Sequence, residues 1–259
     1  MACGITFLSD NLVDDAIMSL TTGTANEQFP LNNIQNEATA IKFRSIENSV
    51  VIQLDMQQTR TMDTVALHGD TNATLGMTAA SIRTSLTTDF SGSTPQNIPL
   101  SAENLLGYLY LSAPVSHRYA EITFTGTGAF VEVSNIFIGE RIDIEQNNLG
   151  IDSFRYGYRD NSTTSNNKYD QLFIDKRNTT KFVGGTLEFC NLAEQNTLDE
   201  MFRRHQRSRS LWMIVDKDGV GMTDGEYKLT TYGYLQDVPL WNAAGGQHYS
   251  ANIRVNQAG

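Results

Sequence analysis

Cysteine, proline and long apolar runs are scarce in this sequence of 259 residues. Its two cysteines, Cys3 and Cys190, stand far apart, which favours two reduced thiols over a disulfide framework. No stretch approaches the roughly 20 apolar residues that a membrane helix needs. The start, Met-Ala-Cys-Gly, has no basic segment leading into an apolar one. We therefore expect neither membrane insertion nor a signal peptide.

Basic side chains are also few, since 19 Lys and Arg face 29 Asp and Glu. The net charge of -10 and the pI of about 4.8 argue against binding to nucleic acid or anionic lipid. The hydrophobic fraction of 40% and the charged fraction of 19% indicate a globular chain with a buried core.

The residue sets that catalysis or metal binding requires are absent from the sequence. No HxxH, CxxC, GxSxG or GxxxxGK spacing occurs, and the histidines are scattered. The segment 216–227 begins like a calcium loop, but its fifth residue is Val220 and its twelfth is Tyr227, so we interpret it as a turn. We expect no enzyme, no metal and no cofactor, although a glycosidase-type carboxylate pair stays open as an alternative.

Short β-rich runs separated by Gly, Asn, Asp and Ser predict an all-β fold with two packed layers. In the first half the predicted strands are Ile41–Arg44, Val50–Asp55, Thr64–His68, Ser81–Leu86, Tyr108–Leu111, Tyr119–Phe124 and Val131–Ile138. We predict that Leu54, Val65, Ile122 and Phe124 are buried between the layers.

A polar, Asn-rich stretch after Gly139 predicts a domain boundary. We assign residues 1–141 to a first domain and 142–259 to a second. The predicted strands of the second domain are Phe154–Tyr158, Gln171–Ile174, Phe182–Phe189, Leu211–Val215, Tyr227–Leu235 and His248–Val255.

One helix is predicted near residues 191–206 of the second domain. Asn191 with Glu194 three residues later is typical of a capping box, and Leu192, Leu198, Met201 and Phe202 could line one face. Basic residues gather at the end of this helix, where its dipole favours cations. They form either a solvated helix end or a subunit interface, for which the candidates are Arg203, Arg204, Arg207 and Arg209.

The first half, from about Phe29 to Gly139, resembles the discoidin or coagulation-factor C-type family. The segments that carry the resemblance are 51–55 with 59–70, then His117–Phe124, and finally Val131–Gly139. The resemblance implies a jelly-roll sandwich of the galactose-binding-like class. Phe43-Arg44-Ser45 stands where the family has tryptophan, and the family's closing cysteine pair is absent, which argues against a secreted adhesion role.

A second resemblance covers the whole chain and concerns structural proteins of bacteriophage tails. It rests on Phe29–Ile34, Phe43–Ser45 and the 54–69 region, followed by the order strand, helix, strand and hairpin in the second half. It implies a jelly roll followed by a tail-tube-like β-domain. The chain would then be a baseplate, distal-tail or adaptor component, made in the host cytoplasm and located in the virion, with other copies of itself and other tail proteins as partners.

A glycan-binding adhesin is the alternative function, because jelly rolls of this kind bind ligands with loops at one end of the sandwich. Carbohydrate sites combine aromatic faces with hydrogen bonds from polar side chains. The candidates are Asn32, Asn33, His68, Asp70, Asn72 and Arg118.

The second domain is also expected to make most contacts in a closed oligomer, threefold or sixfold if the tail resemblance holds. Tyr227–Leu235 carries a single charge and no proline, so as an unpaired edge it would need a partner. The arginine cluster at the helix end could then meet acidic loops of the next subunit, such as those of Asp216, Asp218 and Asp224.

Overall fold

The computed structural model describes residues 4–69, 77–101, 106–145, 153–166, 172–176, 179–216, 226–245 and 248–258. Within these ranges the chain forms antiparallel sheets and a single α-helix. The predicted all-β class with one helix is confirmed.

The first body of the molecule is a β-sandwich built from residues 9–140. Its strands are β2 (Ile17–Thr22), β3 (Phe43–Arg44), β4 (Ser49–His68), β5 (Met77–Ser85), β6 (Gln96–Ile98), β7 (Leu106–Gly126), β8 (Glu132–Val133) and β9 (Asn135–Gly139). They form a six-stranded sheet, in the order β2-β4-β7-β5-β6 with β9 added to β4, and a small sheet of β3 and β8. A short 3-10 helix spans Leu31–Gln35.

Strands β4 and β7 are unusually long and pair with each other along most of their length. Their pairing register shifts between Asp55 and Arg60, where Gln57 adopts a φ of 63° in the left-handed region. Such irregularities bend a strand. Residues from both halves of β4, including Leu54 and Val65, therefore share one hydrophobic core.

The predicted core of this body is confirmed, because Leu54, Val65, Ile122 and Phe124 are all fully buried. The predicted strand limits differ from the structure. The segments predicted as separate strands at 50–55 and 64–68 are parts of β4, and those at 108–111 and 119–124 are parts of β7. Polar residues at the bends interrupt the apolar pattern without ending the strand.

The second body is one large sheet covered by a helix. Its strands are β1 (Gly4–Leu8), β10 (Arg141–Glu145), β11 (Arg155–Arg159), β14 (Thr180–Cys190), β15 (Ser210–Asp216), β16 (Thr230–Leu235), β17 (Trp241–Gly245) and β18 (His248–Gln257). The order is β10-β1-β15-β16-β18-β14-β11, and β17 also pairs with β18. A separate hairpin consists of β12 (Thr163–Asn166) and β13 (Leu172–Asp175).

The helix α1 (Leu192–His205) confirms the helix predicted near 191–206. Asn191 Oδ1 accepts a hydrogen bond from the Glu194 amide at 3.0 Å, and the Asn191 amide donates to Glu194 Oε2 at 2.7 Å. Leu198, Met201 and Phe202 are buried against the sheet. Leu192, predicted for the same face, is instead 53% exposed and is the first residue of the helix.

Two features of the second sheet differ from the expectations. Strand β1 pairs with β10 and β15, so residues 4–8 belong to this sheet although the predicted first domain was 1–141. The predicted edge strand Tyr227–Leu235 is wrong, because β16 lies between β15 and β18 and is paired on both sides. Its low charge reflects burial in the middle of the sheet. The division into two domains otherwise stays a prediction.

The two bodies share a third hydrophobic cluster. Ala66, Tyr108 and Phe137 of the first body pack with Trp212 and Tyr232 of the second. Trp212, predicted to be a core residue, is 1% exposed, and the prediction is confirmed.

Candidate functional site

The surface around Arg118 lies where β4 and β7 bend. Arg118 Nε donates to Asp55 Oδ1 at 2.7 Å and Nη2 donates to Oδ2 at 2.8 Å, which makes a bidentate pair. The side chains of Arg118 and Asp55 are 40% and 24% exposed, so the pair remains open to solvent. The guanidinium carbon lies 5.0 Å from the centroid of the Tyr119 ring. We call Asp55, Arg118 and Tyr119 the Asp55–Arg118 site.

The backbone at the bend fixes the carboxylate of this site. The Gln57 amide donates to Asp55 Oδ1 at 2.7 Å, and Gln57 Nε2 donates to the Asp15 carbonyl at 2.8 Å. The hydrogen bond from Arg118 is the main cause that lowers the pKa of Asp55, and it raises the pKa of Arg118 in turn. Both groups are therefore charged at neutral pH.

Hydroxyl and imidazole groups flank the Asp55–Arg118 site. His117 Nδ1 lies 2.7 Å from Thr84 Oγ1, and Thr61 Oγ1 lies 3.3 Å from Ser116 Oγ. A guanidinium and a carboxylate in one plane still offer outward N–H groups and oxygen lone pairs after pairing. Beside an aromatic ring and hydroxyl groups, they can recognise a ligand that carries several hydroxyls.

A cleft of about 1110 Å³ separates the two bodies close to this bend. Met56, Thr59 and Arg60, which follow Asp55 along β4, line one wall. The second body supplies the opposite wall, with Arg204, His205, Arg209, Ser210 and Trp212. The cleft is therefore formed by both bodies.

The cleft holds carboxyl groups in unequal environments. Burial raises the pKa of Asp14 to about 6, against a hydrogen bond from Asn11, and the nearby charge of Glu37 adds to the rise. Asp14 keeps an exposed edge at the surface of the cleft. Glu37 Oε2 accepts from the Ser210 amide at 3.1 Å. Ser210 Oγ donates to the Tyr232 hydroxyl at 2.7 Å, and burial raises the pKa of Tyr232.

Burial also lowers the pKa of His205, which stands at the end of α1 in the same cleft. Its Nδ1 lies 3.1 Å from the Ser210 carbonyl. The shift favours the neutral imidazole, whose Nδ1–H can donate to this carbonyl.

The predicted glycan-binding residues lie in separate places. His68 is 4% exposed, and its ring centroid lies 6.3 Å from that of Trp212, inside the contact between the bodies. Asn32 is exposed in the 3-10 helix, whereas Asn33 Nδ2 donates to the Lys42 carbonyl at 2.9 Å. Asp70 and Asn72 lie outside the described residues. Of the described candidates, Arg118 stands in the Asp55–Arg118 site.

Most of the predicted subunit-interface arginines have partners within the chain. Arg203 pairs with Asp199 at 2.6 Å, Arg204 pairs with Asp10 at 3.1 Å, and Arg207 pairs with Asp237. Arg209 lies in the cleft, where its charge acts on Asp14. Asp218 and Asp224, proposed as their partners in a neighbouring subunit, lie outside the described residues, as does most of the calcium-like segment.

The described residues contain no group of three or more His, Cys, Asp or Glu side chains that could hold a metal ion. No helix in the described ranges is long and apolar enough to cross a membrane. Cys190 is a buried free thiol, and Cys3 lies outside the described residues.

Asp55 and Tyr119 were missed as site residues although both stand in segments that carry the discoidin resemblance. The sequence contains part of the evidence for a site here: Asp55 ends one predicted strand, and Arg118 comes directly before the predicted strand that begins at Tyr119. Only the pairing register, Asp55 opposite Tyr119, shows that the two ends meet.

No protein-family model matches the chain, and no curated protein matches it. Similar solved structures include CBM32-1 from a family 31 glycoside hydrolase of Clostridium perfringens, with 17% identity and a TM-score of 0.41 over 51% of this chain and 99% of that chain. The family 32 CBM from Clostridium perfringens NanJ, in complex with galactose, has 13% identity and a TM-score of 0.41 over 52% and 99%. CBM32 of AlyQ, in complex with 4,5-unsaturated mannuronic acid, has 14% identity and a TM-score of 0.39 over 51% and 96%.

These likenesses cover about half of the chain and concern its fold alone. The resemblance to phage tail proteins stays a prediction.

Proposed function

We propose that the protein binds carbohydrate through the Asp55–Arg118 site of its first body. The observation that carries the proposal is the half-exposed bidentate pair, held in place by the Gln57 amide and flanked by the Tyr119 ring. Neighbouring hydroxyls of a sugar can donate to the carboxylate and accept from the guanidinium, while an aromatic ring can contact the apolar face of the sugar.

The charge state and fixed orientation of Asp55 and Arg118 fit a binding function better than catalysis. Asp55 is ionised and paired with Arg118, so it is a poor proton donor, and the pair fixes both groups in one orientation. Rigid polar groups lose little conformational freedom when a ligand binds, which favours recognition.

Arg118→Ala tests the proposal on a glycan array followed by titration calorimetry with the best ligand. Loss of a charged hydrogen-bond donor should weaken binding by about tenfold or more. Arg83→Ala is the matched control, because Arg83 also forms an ion pair, with Glu121 at 2.6 Å, and also lies over an aromatic ring, that of Phe90. Absence of any glycan ligand, or equal affinity in Arg118→Ala and the parent protein, would contradict the proposal.

A structural role in a phage tail is the second candidate function. The specific observation is the order of elements in the second body, in which β14 leads into α1 and then into β15, as the tail resemblance predicts. If the protein has this structural role, purified virions must contain it at a fixed copy number. Mass spectrometry of purified particles would reject the role if the protein were absent from them.

A further inference from the structure

Within the described part of the chain, one face of the second sheet is covered only in part. On the side of Val183 and Val255, helix α1 and its buried Phe202 close the hydrophobic core. On the opposite side, the first body packs on Trp212 and Tyr232 of β15 and β16. Strand register places Thr180, Phe182, Gly184 and Thr186 of β14, the even-numbered residues of β18 and the odd-numbered residues of β11 on that second side. The register of β14 shifts after Leu187, so the rule ends there. This part of the sheet is its open half.

Basic residues gather on the open half. Register places Arg155 opposite Gly184, and Gly184 opposite Arg254, so the two arginines lie on either side of a glycine in one row across three strands. Strand spacing sets their Cα atoms about 10 Å apart. Arg159 stands four residues beyond Arg155 on the same face, or roughly 13 Å along the strand.

Arg254 is held in an unusual environment. Its guanidinium carbon lies 3.6 Å from the centroid of the Phe182 ring. On its other side, Phe182 fills the space above Gly157, where an added Cβ would meet the ring at 2.6 Å. Arg254 Nε is buried and donates no hydrogen bond within the described part of the chain. The Arg254 guanidinium is therefore held against the face of the Phe182 ring.

Arg254 and Arg159 have no acidic partner among the described residues, although the chain has a net charge of -10. Among the described residues, neither Arg254 nor the exposed Arg159 forms an ion pair, whereas Arg83, Arg118, Arg141 and Arg204 each do. Arg254 is partly exposed and Arg159 is exposed, so a bound oxyanion could form charge-assisted hydrogen bonds with both guanidinium groups.

We propose that the open half binds a polysaccharide that carries carboxylate groups, with Arg254 and Arg159 as its main contacts and Arg155 beside them. Arg155 lies about 10 Å from Arg254 and about 13 Å from Arg159, which puts the two main contacts about 16 Å apart. This spacing suits an anionic group that recurs along a polymer better than one small anion. Neutral groups in the neighbouring row suit its hydroxyls. Thr186 Oγ1 donates to Asn252 Oδ1 at 2.8 Å, and Asn252 is exposed and carries two amide N–H donors. This site lies on the second body and does not depend on the Asp55–Arg118 site.

The test is calorimetric titration of the full chain with polygalacturonate oligomers, with dextran as the uncharged polymer. The Arg159→Gln, Arg254→Gln double variant should bind polygalacturonate about tenfold or more weakly. Arg203→Gln removes one charge from the exposed face of α1 and should stay within about twofold of the parent protein. Near-identical thermal unfolding of the variants would show that binding, and not folding, was altered.

Three outcomes would overturn the proposal: no binding of polygalacturonate, equal loss in Arg203→Gln, or equal binding of dextran. A fourth is self-association of the parent protein that the double variant abolishes without any polysaccharide binding, which would make the patch a protein interface. Arg118→Ala should leave polygalacturonate binding unchanged. Failure of the first-body proposal and failure of this one are therefore distinguishable.

Discussion

At the scale of single residues, Phe124 shows how tightly the sandwich is packed. It is fully buried between Val50 of β4 and Ala80 of β5, its neighbours across the sheet. Phe124→Ala should lower the free energy of unfolding by about 3 to 5 kcal/mol, from lost transfer energy and a cavity. Urea unfolding measures the change, and the exposed Thr125→Ala on the same strand is the control. A loss below about 1 kcal/mol would mean that the side chain does not fill the core.

Asp14 should make stability depend on pH in the cleft. Its folded pKa of about 6 lies above the usual aspartate pKa of 3.8, so the folded state binds more protons between these two pH values. Stability from this group is therefore fully present below about pH 4 and declines as the pH rises toward 6. Asp14→Asn keeps an acceptor for Asn11 and removes the charge.

We expect Asp14→Asn to be more stable than the parent protein at pH 8 and about equal to it at pH 4. Solvent at the exposed edge of Asp14 keeps the gain small, on the order of 1 kcal/mol or less. Urea unfolding at both pH values measures it, with Asp15→Asn as the control from the same loop. A gain at pH 4 that equals the gain at pH 8 would contradict the proposed cause.

At the scale of elements, the start of α1 depends on the capping box. Asn191→Ala removes the acceptor of the Glu194 amide and should cost about 1 kcal/mol of unfolding free energy. Asn196→Ala, at an exposed position inside the same helix, should be neutral or slightly stabilising, because alanine is the better helix former. Thermal unfolding of both variants provides the comparison. Equal destabilisation by the two changes would show that the cap contributes nothing.

Local patterns allowed α1 and the sandwich core to be predicted, because a capping box and an alternating strand depend on neighbours in sequence. Pairing partners are not local. The bend at Gln57 joins two predicted strands into β4, and β16 is central and not an edge, since its partners β15 and β18 are set by the sheet. The same cause limited the prediction of the candidate site to Arg118. Asp55 contacts Arg118 because of the pairing register of β4 with β7, which the sequence does not show.

At the scale of the whole molecule, the first body is an insertion between two neighbouring strands of the second. The chain leaves the large sheet at Leu8 and returns at Arg141, and these two residues are directly paired. Strand β1 lies between β10 and β15, inside the sheet. The sheet therefore needs β1 for its continuity. Residues 9–140 contribute no strand to it; they cover Trp212 and Tyr232 and supply side-chain partners such as Asp10 for Arg204 and Glu37 for the Ser210 amide.

This arrangement predicts that the second body folds without the first. Replacing residues 9–140 by Asn-Gly would join Leu8 to Arg141 through a two-residue hairpin, a connection that suits directly paired antiparallel strands. The shortened chain should unfold cooperatively, because the core beneath α1 is intact. Its tryptophan fluorescence should shift to longer wavelength, because Trp212 loses the cover of Ala66 and Phe137.

A chain that begins at Arg141 is the matched control. It lacks β1 as well, so β10 and β15 have no strand between them, and we expect that it does not fold. Circular dichroism and urea unfolding distinguish the two chains. Cooperative folding of both, or of neither, would show that the pairing of Leu8 with Arg141 does not make the first body a removable insertion.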